Sequence, residues 1–255
     1  MNDTKEPTRI VFSLAISTIL AAIVCVTTLS FTVSIPATAG YFNIGETVIY
    51  VAALVFGPYV GAFAGGFGAA IADMLVAFPF LPGTLVVKAF EGAIVGFLNR
   101  KLKRTKSSKW TIYTAILGIL VGISLGITGS IYYSGQVQLA RWRAQLYIGY
   151  PQPASPTFSV FIPVETWYIL GTAVALLIIY AGFKIEPQSG CAIFSMIIGG
   201  LEMVMGYFLY EQIFLGKAGA IVEVPVNMGQ MIIGLIVAMP ISRIILRSLP
   251  QLKNQ

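Results

Sequence analysis

Gly83-Thr84-Leu85-Val86-Val87-Lys88-Ala89-Phe90-Glu91-Gly92-Ala93-Ile94-Val95-Gly96-Phe97-Leu98 is an apolar run that carries a lysine and a glutamate in its interior and ends in the most basic segment of the chain, Arg100 to Lys109. A run of this length and hydropathy, closed by a block of cations, reads as a helix crossing a membrane. An ionised side chain in hydrocarbon costs several kcal/mol unless it faces protein, water or a partner, so Lys88 and Glu91 mark a candidate functional site. The whole chain repeats the pattern: of 255 residues 57% are hydrophobic and only 10% charged, too few polar residues to cover a soluble globule of that size. Polarity does not alternate in short segments as it would in a membrane barrel, so the fold class is all-α.

Working outward, the preceding runs span Arg9 to Val33, Glu46 to Phe56, and the stretch from Gly57-Pro58 to about Phe78. Later runs cover Trp110 to Tyr132, Ile162 to Phe183, Ser189 to Tyr210 and Ala220 to Leu246. This predicts a polytopic bundle of eight spans in a single membrane domain, the second span being short. Pro79 and Pro82 bracket a tight turn, and Pro151, Pro153 and Pro156 make the long Tyr133–Phe161 segment an irregular loop. With both termini in the cytoplasm, twelve Lys and Arg fall inside, three (Arg141, Arg143, Lys217) outside, and Lys88 within a span; that positive-inside bias fixes the orientation in the cell membrane. Gly61 and Gly65, Gly92 and Gly96, and Gly118, Gly122 and Gly126 recur every four residues, forming flat ridges for helix packing. Ser13, Ser17 and Ala21 form a similar ridge on the first helix.

Further polar residues concentrate toward the outer ends of the spans. Lys88 and Glu91, three apart, share a helix face; they either neutralise each other as a self-contained pair or contribute to an outer pocket, with Asp73 on the preceding helix as an alternative partner. Asn43 and Glu46 open the second span and fit either a capping-box-like start or ligand binding. Glu223, Asn227 and Gln230 place a polar stripe on the last span, which must face the bundle. Tyr207 and Glu211 supply an aromatic wall and another acceptor near the end of the seventh. Glu202 lies deeper, and Glu165 has an ordinary helix-start explanation. The set describes an outward-facing pocket for a small polar or heteroaromatic solute.

Several chemistries are excluded. There is no histidine, which removes the commonest general base and metal ligand, and the two cysteines, Cys25 and Cys191, sit in apolar spans. No nucleophile has an evident activating base, so no catalytic residue and no enzyme is expected. Gly65-Gly66-Phe67-Gly68 lacks both the preceding strand and the Lys-Ser/Thr of a phosphate loop. No metal, cofactor or nucleic-acid partner is expected for this chain.

Tyr41-Phe42-Asn43-Ile44-Gly45-Glu46, Phe56-Gly57-Pro58, Ala72-Asp73, Gly83-Thr84-Leu85-Val86-Val87-Lys88 and Glu223-Val224-Pro225-Val226-Asn227-Met228-Gly229-Gln230 follow one another in an order that resembles the substrate-binding S component of energy-coupling factor (ECF) transporters. The resemblance covers about 9–104 and 189–247 and implies a six-helix core, with 110–183 as an inserted two-helix segment and external loop. It implies binding of a water-soluble vitamin or precursor from outside by Asn43, Glu46, Thr84, Lys88, Glu91, Tyr207, Glu223, Asn227 and Gln230. It also implies delivery with a separate membrane coupling protein and two ATPase subunits that use ATP, the coupling protein meeting the Ser13, Ser17, Ala21 ridge. The competing reading is a stand-alone secondary transporter coupled to protons through Asp73, Glu91 or Glu202.

Overall fold

The computed structural model describes residues 5–35, 38, 40–103, 110–141, 157–184 and 187–254. Eight α-helices run through them: α1 (Lys5–Ser30), α2 (Glu46–Phe56), α3 (Pro58–Val76), α4 (Leu81–Lys103), α5 (Trp110–Tyr132), α6 (Val164–Lys184), α7 (Pro187–Glu211) and α8 (Gly216–Ser248). Six of these helices are long and apolar enough to cross a membrane, while α2 and the apolar part of α6 over Val164–Tyr180 fall short of that length. Of the eight expected spans, six are long enough to cross and two, α2 and α6, fall short. An 11-residue α2 is about 16 Å long, half of what hydrocarbon demands. Residues 104–109 of the basic block lie outside the described residues, as do the three prolines of the long loop.

The glycine ridges explain how the core closes. Gly61 on α3 and Gly92 on α4 stand back to back: a Cβ on Gly61 would lie 2.8 Å from the Gly92 carbonyl oxygen, and Gly65 meets the Lys88 carbonyl in the same way at 2.7 Å. Gly57, at φ 91°, turns the chain from α2 into α3 with Pro58 at the first helical position. Gly118 and Gly122 let α5 seat against Ile178, Gly171 and Ala175 of α6. This hairpin docks on the core through Val121 and Leu125 of α5, which are buried with Met196, Met203 and Met231. Tyr168, Ile169, Leu176 and Tyr180 of α6 stay exposed, as expected of a face turned to lipid.

Two expectations need correction. The first helix stops at Ser30, and the segments read as irregular loops pair into a four-stranded antiparallel sheet, β1 (Thr32–Ile35), β2 (Gly40–Asn43), β3 (Gly135–Arg141) and β4 (Thr157–Ile162), in the order β2-β1-β3-β4. Val33 faces Phe42 and Arg141, and Val137 faces Val160. Strands this short, flanked by prolines and paired across about a hundred residues of chain, leave little trace in local periodicity. The second correction concerns the small-residue ridge of α1. Ser17 and Ala21 are buried, and α3 covers them by bringing Gly68 against the Ala21 carbonyl. Only Ser13 keeps partial exposure, so the chain's own helices take up most of this ridge.

Gly92→Val is expected to lower the unfolding temperature of the purified protein in detergent, because its side chain must push α3 from α4 at a cost of about 1–3 kcal/mol. Gly126→Ala, whose Cβ would find nothing nearer than 3.6 Å, leaves it unchanged.

Candidate functional site

The position of α2 creates the site. Asn99 Nδ2 donates to the Leu54 carbonyl at 3.3 Å and Arg100 Nη2 to the Phe56 carbonyl at 2.8 Å, satisfying carbonyls at the C-terminal end of α2 that have no helical partner. At the other end Lys88 reaches Glu46. So α2 runs beside α4 from Lys88 to Arg100, and its first residue starts at the depth of Lys88, below the start of α4. The chain descends to that depth as β2, in extended form. Asn43 does not cap the helix: Gly45 occupies the N-cap without a side-chain bond, and Asn43 Oδ1 instead accepts from the Gly45 amide at 2.9 Å. That frees the Asn43 amide, whose Nδ2 donates to Gln230 Oε1 at 2.5 Å.

Beneath β2 lies a partly open cavity of about 40 Å³, room for about three or four water molecules. Its floor is a buried charge cluster. Lys88 Nζ donates to Glu46 Oε2 and, at 3.1 Å, to Glu91 Oε2; Tyr50 Oη donates to Glu91 Oε1 at 3.1 Å. Both carboxylate side chains are fully buried and the lysine is 5% exposed. The pair on α4 is thus not self-contained. Nor does Asp73 take the lysine, being held by hydroxyl donors from Tyr41 and Thr84. Thr84 also bonds Tyr207 Oη at 2.9 Å, and the Tyr207 ring lies 5.6 Å from Lys88 Nζ. Tyr41 stands on β2; burial, and then the adjacent Asp73 carboxylate, push its hydroxyl well above the ordinary tyrosine range, so it remains a donor.

The far wall comes from α7 and α8. Gln230 Nε2 donates to Asn227 Oδ1 at 2.9 Å, continuing the line from Asn43. Glu223 Oε1 accepts from Thr38, and Gly40 lies so close to the Glu223 carboxylate that a Cβ there would come within 2.7 Å of its carbon. Glu211 lines the same wall.

Of the residues expected in the site, Asn43, Glu46, Thr84, Lys88, Tyr207, Glu223, Asn227 and Gln230 line the cavity. Glu91 stands behind Lys88, and Glu202 lies outside the lining. Asp73, expected as support, lines it directly. Tyr41, Thr28 and Phe80 were not anticipated as lining residues; strand alternation, had β2 been recognised, would have put Tyr41 with Asn43 and turned Phe42 away. Phe42 indeed borders a second, apolar cavity of about 320 Å³ against α5, α6 and α8. The polar atoms of its wall are spent internally, with Tyr133 Oη bonded to the Val222 carbonyl at 2.9 Å and Trp167 Nε1 to the Tyr133 carbonyl at 2.7 Å.

A helical membrane bundle enclosing a dense polar cavity at the end opposite its basic block has the form of a solute-binding membrane component. The family described as "ECF-type riboflavin transporter, S component" matches residues 10–185, and the chain belongs to that family. The matched region takes in the α5–α6 hairpin and ends before α7. An uncharacterized protein in the gap 3' region of Pyrococcus woesei is 46% identical over 77 residues, which make up 30% of this chain and 52% of that protein. The chain thus spans about half the length of that curated relative. No solved structure matches.

Removing one member of a buried ion cluster strands the others, at about 3–5 kcal/mol, whereas neutralising all of it costs much less. Lys88→Met should therefore unfold at a clearly lower temperature than the triple variant Glu46→Gln, Lys88→Met, Glu91→Gln, measured by thermal unfolding in detergent.

Proposed function

We propose that this S component binds a water-soluble vitamin or vitamin precursor from outside the cell, and that ATP hydrolysis on partner subunits drives its delivery. The observation that carries this reading is the cavity itself. Asn43, Asp73, Thr84, Lys88, Tyr207, Glu223, Asn227 and Gln230 come from five elements and converge on one cavity at the sheet end, where the positive-inside bias puts the exterior. Such a density of donors and acceptors suits a small polar solute better than a lipid. The cavity is too small for a vitamin as it stands, so binding requires β2 and its partner strands to lift away; Tyr41 and Asn43 are the side chains of that roof that would then close over the solute.

Energy input is assigned to other chains because this sequence has no phosphate-binding loop, and membership of the family points to a coupling protein and ATPase subunits. Transport would follow as reorientation of the loaded bundle against the coupling protein, with the exposed apolar faces of α1, α4 and α6 open to lipid or partner.

The reading is tested in liposomes. Uptake of a radiolabelled vitamin, riboflavin being the first to try from the family's description, is expected only when this chain is reconstituted with coupling protein and ATPases, and only with ATP inside. Accumulation by the chain alone under an imposed pH gradient would replace it with the proton-coupled alternative.

A further inference from the structure

We propose that the solute held in this cavity is a small organic cation and that Glu211 and Glu223 are the residues that bind its charge. This rests on the reading of the chain as a solute-binding component and narrows the class of solute.

The charges lining the cavity do not balance. Glu46, Asp73, Glu211 and Glu223 contribute four carboxylates, and among the described lining residues Lys88 is the single cation. Lys88 is already shared between Glu46 and Glu91. Asp73 has two hydroxyl donors, Tyr41 and Thr84, one for each oxygen. Among the described residues the far wall has no such compensation. Glu223 receives one hydroxyl, from Thr38, while Glu211, 2% exposed, keeps its Oε2 buried without any hydrogen-bond donor. Glu46 Oε1 is likewise buried without a donor. Glu211 on α7 and Glu223 on α8 line the same cavity. Two buried carboxylates on the walls of one cavity, one with an unanswered oxygen, are stabilised once a positive charge with N–H donors comes between them.

The kind of cation follows from the spacing. Among the described residues no group of three or more His, Cys, Asp or Glu is arranged to hold a metal ion. The acidic groups instead sit on separate helices around the cavity, which Tyr41, Tyr207 and Phe80 also line. That layout suits an extended molecule with a protonated or quaternary nitrogen and an aromatic or alkyl body. A neutral or anionic solute would leave the Glu211 and Glu223 charges unanswered.

The test uses the purified full chain in lipid nanodiscs and equilibrium dialysis with radiolabelled thiamine, pyridoxamine and choline as cationic probes, riboflavin as neutral probe and pantothenate as anionic probe. At least one cation should bind saturably, and Glu211→Gln or Glu223→Gln should weaken it tenfold or more while Asn227→Ala weakens it less. Folding is checked by the ligand-free unfolding temperature, and Glu223→Gln stands as the second variant should Glu211→Gln not fold. Binding of riboflavin or pantothenate with none of the three cations retained overturns the proposal and leaves the vitamin-binding reading intact. Cation binding unaffected by both glutamine variants overturns the assignment of Glu211 and Glu223. Binding of no probe, together with pH-driven uptake by the chain alone, overturns both.

Discussion

The burial of Lys88 is the constraint on which the rest of this structure depends. An ammonium in the middle of a helical bundle is tolerable only with carboxylates in contact, and Glu91, one turn further on α4, meets half of that need. The other half is Glu46, the first residue of α2. Satisfying Lys88 from a second element obliges α2 to begin at the lysine's depth. With its far end held by Asn99 and Arg100, the helix is limited to 11 residues. The chain must then reach that starting point as extended backbone, so β2 enters the bundle from above and roofs the space over the charge cluster. One ion cluster thus sets a helix length, a strand and a cavity.

Extended entry has a second consequence, because successive side chains of a strand point to opposite faces. Tyr41 and Asn43 turn to the polar cavity and Phe42 to the apolar one, and α8 repeats the division with Asn227 and Gln230 on one side and Val226 and Gly229 on the other. The thin wall between the two cavities is one strand and one helix face. A movement of β2 that opens the polar cavity therefore disturbs the packing of Phe42 against α5 and α8. This ties the α5–α6 hairpin to the roof, both through β3 and β4 in the sheet and through Trp167 and Tyr133 beneath it.

Much of this was legible in the sequence because hydrophobic length and charge placement act locally. The boundaries of α5 agree with the apolar run to the residue, and the four-residue glycine repeats marked the α3–α4 contact. The stripe of Glu223, Asn227 and Gln230 faced inward as polar residues on an apolar helix must. What local pattern could not carry was pairing between distant segments. Lys88 could be matched to Glu91 by helix periodicity, but its second partner is 42 residues away in the chain. The sheet joins β1 to β3 across about a hundred residues, and of the two readings open for Asn43 the helix cap fails because Gly45 holds the N-cap. The Ser17 and Ala21 ridge misled for a related reason: small residues announce a close backbone approach without saying whose backbone comes.

The extent of the family match divides the cavity along a meaningful line. Residues 10–185 supply the roof and the floor: Tyr41, Asn43, Glu46, Asp73, Thr84 and the Lys88 cluster. The far wall, with Tyr207, Glu211, Glu223, Asn227 and Gln230, belongs to α7 and α8 beyond it. Floor and roof carry the ion cluster and the strand that fix the architecture, and changing them would cost the fold. The far wall differs: among the described residues Glu211 pairs with no cation, and Glu223 is met by a threonine alone. On the proposed reading, architecture rests on the floor and roof, and recognition on the far wall of α7 and α8.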